Sequence, residues 1–105
     1  MKEIPITSFR NLKIGQAENT AAGTGCTVFL LGQDGAPAGL DVRGGGPASR
    51  ESELLKPLAA AQVIHAIVLA GGSAFGLDAA GGVMRYLEER GIGFDVGVTK
   101  VPLVC

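Results

Sequence analysis

The run Val63-Ile-His-Ala-Ile-Val-Leu69, the turn Ala70-Gly-Gly-Ser-Ala-Phe-Gly76 and the periodic stretch Leu77 to Arg90 constrain the fold more than any other part of the chain. A short apolar run rich in β-branched residues reads as a strand buried on both faces. Apolar positions at Leu77, Ala80, Val83, Met84 and Leu87 recur at the three-and-four spacing of one helical stripe. Ser73 stands where an N-cap belongs, and Arg85, Arg90 and Gly91 mark the far end. The expectation is a strand, a glycine turn and a helix folded back over the strand. Such a junction leaves backbone N–H groups free to hold a carboxylate, a phosphate or an oxyanion.

At 105 residues the chain makes a single small domain. With 47% apolar and 18% charged residues and a net charge of −1, it lacks the basic footprint of a nucleic-acid binder. Glycine is the outlier, with 17 residues against a usual share of roughly 7%. The glycines sit at strand ends and before helices, which points to tight turns and close backbone approach rather than a flexible linker. No apolar run reaches the length of a bilayer span, and Met1-Lys-Glu-Ile-Pro5 lacks the core of a signal peptide. The cytoplasm is the default location. Cys26 and Cys105 are read as reduced thiols. With no CxxC and no Cys/His cluster, neither a metal site nor a cofactor is expected.

Along the chain, short strands are expected around Ile4–Ile6 and Leu12–Ile14, and a firm strand at Thr24–Leu31. Asp34-Gly35 signals a hairpin, with Ala38–Arg43 as the returning antiparallel strand. Arg50 to Leu55 reads as loop with a helical turn stopped by Pro57, followed by a short helix over Leu58–Gln62. Ile92–Val96 and Val98–Val104 read as two more strands. The order favours a mixed α/β layer architecture. The apolar run Val98–Cys105 has two readings: a strand at a sheet edge, where Pro102 is tolerated, or the front piece of a longer protein. The second is preferred.

Two motifs invite chemistry. In Asp41-Val-Arg43-Gly44-Gly45-Gly-Pro-Ala-Ser-Arg50, the glycines could admit a substrate whose carboxylate pairs with Arg43 or Arg50. The plainer reading is that Asp41 and Arg50 tie down an irregular loop, and it is favoured. Gly71-Gly72-Ser73 could be a nucleophile turn, but the G-x-S-x-G spacing of a hydrolase elbow is absent. No Walker lysine and no GxGxxG follow either. The single histidine, His65, lies mid-strand and reads as a core residue rather than a triad member. Ser73 is favoured as a cap over a nucleophile, while Gly71, Gly72 and Ser73 remain candidates for a substrate-cleft wall or an anion site.

The segments Gly25-Cys-Thr-Val28, Asp41-Val-Arg-Gly-Gly45, Arg50-Glu51, Leu54-Leu55, Ala70-Gly-Gly-Ser-Ala-Phe-Gly-Leu-Asp-Ala-Ala80, Gly82-Val-Met-Arg85, Leu87-Glu-Glu-Arg-Gly-Ile-Gly-Phe94 and Val101-Pro-Leu-Val104 together resemble one family. It is that of the DmpA-type L-aminopeptidase/D-amidase-esterases, with the β-peptidyl aminopeptidases and endo-type nylon-oligomer hydrolases. The resemblance runs from about Gly25 to Val104 in order and spacing.

What the resemblance implies is an N-terminal-nucleophile-like hydrolase with an αββα sandwich and a mixed sheet, related in architecture to the ornithine acetyltransferases. In that family a longer precursor cuts itself in two. The freed N-terminal Ser or Thr then attacks amide or ester carbonyls, its own α-amine, with an unperturbed pKa near 8, serving as base. On this resemblance the nucleophile, the oxyanion-hole Asn and the residues around them lie beyond Cys105, as does an aromatic-Asp motif. No residue here then takes a catalytic role. Residues 1–105 would form the N-terminal scaffold, inactive alone, meeting a peptide or amide substrate only with the rest of the precursor and assembling as a homo-oligomer. The competing reading from another class is a stand-alone module that binds a small anion or serves assembly.

Overall fold

The computed structural model describes residues 1–105. Five strands and one α-helix follow in chain order: β1 Lys13–Asn19, β2 Thr24–Leu30, β3 Ala66–Ala70, α1 Ala79–Glu88, β4 Phe94–Asp95 and β5 Lys100–Val101. Tight 3-10 turns occupy Ile6–Ser8, Ser52–Leu55 and Ser73–Asp78. β1, β2 and β3 form one antiparallel sheet in that order, and β4 pairs with β5 in a second, two-stranded ribbon. The register sets Ile14 opposite Phe29 and Val28 opposite Val68.

The free edge of β3 receives the last residues of the chain in parallel. His65 N–H reaches the Leu103 carbonyl at 2.8 Å, Cys105 N–H the Ala66 carbonyl at 3.1 Å, and Val68 N–H the Cys105 carbonyl at 2.7 Å. The segment 103–105 thus adds a short parallel bridge, Ala66–Val104, beside an otherwise antiparallel sheet.

Side chains alternate across this sheet. Val28, Leu30, Ala66 and Val68 face α1, where they meet Ala80, Val83, Met84 and Leu87 together with Val104 and Ile92. Ala66, Ala80, Leu87 and Val104 are fully buried there. The helical stripe read from the sequence is thus the one that packs. Helix α1 closes through hydrogen bonds from Gly91 N–H to the Glu88 carbonyl (2.9 Å) and Ile92 N–H to the Leu87 carbonyl (3.0 Å). The residues of alternate parity, Phe29, Ile67 and Leu69, turn to the opposite face, which no helix covers. Leu69 is 59% exposed, so β3 is buried on one face and not on both as its apolar run suggests.

Several expectations give way. The hairpin partner of β2 is β1, through the turn Thr20–Gly23, in which Asn19 Oδ1 accepts the Ala22 N–H at 3.0 Å. The segment Ala38–Arg43 forms no strand. Both edges of β2 are already taken, by β1 and β3, so a returning strand has nowhere to pair. Beyond Asp34-Gly35 the chain instead makes a single bridge, Ala36 exchanging hydrogen bonds of 2.9 and 3.0 Å with Ile64. Ile4–Ile6 is not a strand, while the next one starts at Lys13 and runs to Asn19. No helix spans Leu58–Gln62: a single turn closes from Ala59 N–H to the Lys56 carbonyl, and Leu58 is 99% exposed, leaving no apolar stripe to bury. The helical turn before Pro57 is present, over Ser52–Leu55.

Candidate functional site

β3 ends at Ala70, and Gly71 N–H still reaches across to the Gly25 carbonyl at 2.9 Å. The next two residues turn left-handed: Gly72 has φ 90° and Ser73 φ 58°. Glycine adopts that conformation freely, whereas a serine there carries a penalty of about 1 kcal/mol. The chain then winds through the 3-10 turn Ser73–Asp78 before α1 begins at Ala79, so the α-helix starts later than its apolar periodicity suggests. Ser73 is not the cap: Gly72 holds that place, and no side-chain hydrogen bond caps the turn. The reason is conformational, since an N-cap serine needs an extended backbone to aim its oxygen at the following N–H groups.

Gly71 is pinned from the side. A Cβ there would come within 2.6 Å of Thr24 Oγ1, so the close approach of β2 to the turn depends on its bare backbone. Gly71 and Gly72 line a broad open groove of about 1050 Å³ together with Thr24, Gly25, Cys26 and Leu69. Ser73 is not part of that groove and instead lines a separate apolar cavity of about 280 Å³ beside β3.

His65 belongs to the core. It is 4% exposed, and its Nδ1 accepts the Leu103 N–H at 3.1 Å. Burial lowers its pKa below the ordinary 6.5, holding the ring neutral and free to accept that bond. No hydrogen bond joins it to Ser73, so the two do not form a nucleophile–base pair.

The Asp41–Arg50 motif splits in two. Arg43 Nε pairs with Asp41 Oδ2 at 2.6 Å, both side chains lying in solvent, with Gly44 and Gly45 exposed beside them. Arg50 turns inward instead. Its guanidinium donates to the Leu77 carbonyl at 3.5 Å and lies 3.2 Å from Met84 Sδ, fastening the loop onto α1. Asp41 and Arg50 do not act together on the loop: Arg43 captures Asp41 locally, and Arg50 reaches Leu77 and Met84. Arg50 also lines the 280 Å³ cavity, as does Cys105. That cavity, bringing together Arg50, Ser73 and Cys105 from three distant stretches, escapes any local motif. Cys105 and Cys26 are free thiols. Burial first, and the Glu51 carboxylate second, push the Cys105 pKa up, so this sulfur is held as a thiol rather than a nucleophilic thiolate.

No helix is long and apolar enough to cross a membrane. The model of peptidase family S58 matches residues 5–105. Proteins of Mycobacterium tuberculosis and Mycobacterium bovis, each carrying the name uncharacterized aminopeptidase, are 42% identical over 108 positions, which cover 94% of this chain. A protein of the same description from Mycobacterium leprae is 41% identical over the same share. The chain spans about a third of the length of these curated relatives, 31% of the first two and 29% of the third. With a family match over residues 5–105 and relatives 42% identical across 94% of its length, the chain belongs to the DmpA-type aminopeptidases of peptidase family S58.

Proposed function

We propose that residues 1–105 are the N-terminal scaffold of a self-cleaving aminopeptidase that removes N-terminal residues from peptides, amides or esters, and that they contribute no catalytic group of their own. The nucleophile, a chain-terminal Ser or Thr, its amine base and the oxyanion donors then come from the part of the enzyme that follows. Gly71 and Gly72 would form one wall of the substrate cleft, along the groove they share with Thr24 and Cys26.

The observation that carries this reading is how little of the chain is enclosed. Seven of 105 residues are buried. The accessible surface is 7751 Å², against about 5,500 Å² for a self-contained protein of this mass. The sheet offers α1 one face and leaves Ile14, Phe29, Ile67 and Leu69 on the other, the arrangement expected of one half of an αββα sandwich whose second sheet lies elsewhere. Two free thiols suit the cytoplasm.

The test pairs this chain with the part of the M. tuberculosis relative that lies beyond the matched third. Co-expression should give a complex that hydrolyses aminoacyl p-nitroanilides, with turnover lost when the new N-terminal Ser or Thr is changed to Ala. The 105 residues alone should give none. Turnover by the isolated chain that vanishes in Ser73→Ala would overturn the reading.

A further inference from the structure

Helix α1 has a second face. Its core stripe is Ala80, Val83, Met84 and Leu87. On the opposite side Asp78, Gly81, Gly82, Arg85 and Glu89 recur at the three-and-four spacing, and all are exposed. Two adjacent glycines weaken a helix, since only proline forms one less readily. The packing of this chain gives no reason for them. A Cβ at Gly81 or Gly82 would meet no other atom within 4 Å, unlike one at Gly71, where Thr24 stands in the way. Bare backbone on an outward helix face lets a second helix come close.

The charges on either side of the glycines are unpaired. The Asp78 carboxylate caps no N–H group of α1, and neither Asp78 nor Arg85 has an ion-pair partner. Their placement is self-complementary, because the midpoint between Asp78 and Arg85 falls between Gly81 and Gly82. At a rise of about 1.5 Å per residue, each charge lies about 5 Å along the axis from that midpoint, in opposite directions. A second copy of α1, running antiparallel and crossing at the glycines, sets its Arg85 against Asp78 and its Asp78 against Arg85. The helix macrodipole accounts for an acid at the start and a base near the end, but not for glycines centred between them. Phe75, one 3-10 turn before Asp78 and 89% exposed, extends this face with apolar surface.

We infer that the outer face of α1 is a two-fold interface, on which two copies of this chain cross their helices antiparallel at Gly81-Gly82. Two Asp78–Arg85 ion pairs, one on each side of the crossing, fix the register. The contact is isologous: the same patch meets itself, so each residue serves twice. It uses neither the groove nor a reacting group, and so stands or falls separately from the aminopeptidase reading. It is also distinct from association through the open sheet face, which would bury Ile14, Phe29, Ile67 and Leu69.

The test is sedimentation equilibrium of the 105-residue protein and four variants, each checked for helix content by circular dichroism. Asp78→Arg and Arg85→Asp each set like charges against one another at both ends of the crossing. Either should weaken the dimer about tenfold or more. The two changes together exchange the charges and should restore the dimer to within about threefold of the parent. That double variant opposes the helix dipole at both ends, so recovery reports pairing and not helix stability. Gly82→Gln should raise the thermal midpoint of the monomer, because glutamine is the better helix former and its Cβ has room, yet it should weaken the dimer. A double variant no better than the single ones, or a dimer unchanged in Gly82→Gln, would overturn the inference. So would a parent chain that stays monomeric. Association indifferent to the charge reversals would overturn it too, assigning the contact to the sheet face and leaving the aminopeptidase reading intact.

Discussion

At the residue scale, the turn after β3 depends on backbone freedom and not on a side-chain cap. Gly72 sits at φ 90°, where a β-branched side chain clashes with its own backbone. Gly72→Val should lower stability by about 1–3 kcal/mol, read as a fall in the thermal midpoint, with Gly72→Asn far milder. The neighbouring Ser73 also lies in the left-handed region and its hydroxyl caps nothing. Ser73→Ala should therefore stay within about 0.5 kcal/mol of the parent, and Ser73→Gly should gain about 1 kcal/mol. A clear loss in Ser73→Ala would reinstate a role for the hydroxyl. His65 carries the pH dependence. Its folded pKa lies below the unfolded value of 6.5, so below that value the unfolded chain binds the proton more readily. Stability should be full above pH 6.5 and decline as pH falls through that value toward the lower folded pKa. Urea midpoints at pH 7.5 and 5.5 measure this, and His65→Gln should flatten the difference.

At the scale of elements, Leu87 is the keystone of α1: it is 1% exposed and meets Ala66 and Val104 across the sheet. Leu87→Ala should cost about 2–5 kcal/mol, enough to unfold a domain with so small a core, and circular dichroism on heating would report it. The loop 38–50 provides a contrast. Arg50→Ala should raise amide exchange along the loop and cost about 1 kcal/mol, because its half-buried guanidinium fastens the loop to α1. Asp41→Ala should leave exchange unchanged, since its pair with Arg43 lies in water. What could be read from residues alone follows the same division. The buried stripe of α1, strand β2 and the core position of His65 were legible because local periodicity and tertiary packing agree there. The Asp34-Gly35 hairpin was not, because turn chemistry is silent about which strand already occupies the neighbouring edge. Ser73 misled for a related reason: a capping residue type carries no information on whether its backbone is extended or left-handed. The inward turn of Arg50 depends on Leu77 and Met84, far along the chain, and no spacing rule links them.

At the scale of the whole molecule, the central claim is that these 105 residues are a scaffold whose surface is completed by other protein. The radius of gyration is 14.6 Å, against about 13 Å for a compact chain of this length. An open apolar sheet face drives association when its partner is absent, and a symmetric pair of copies is the simplest remedy. The relatives named above are about three times longer, the chain covering 31% of the M. tuberculosis protein. The most direct measurement is sedimentation velocity of the purified 105-residue protein across the micromolar range. A dimer or larger assembly that dissociates on dilution, with the monomer loosening as it forms, is the predicted result. A compact monomer at every concentration, unfolding in one cooperative transition, would show that the chain closes its own core and would contradict the scaffold account.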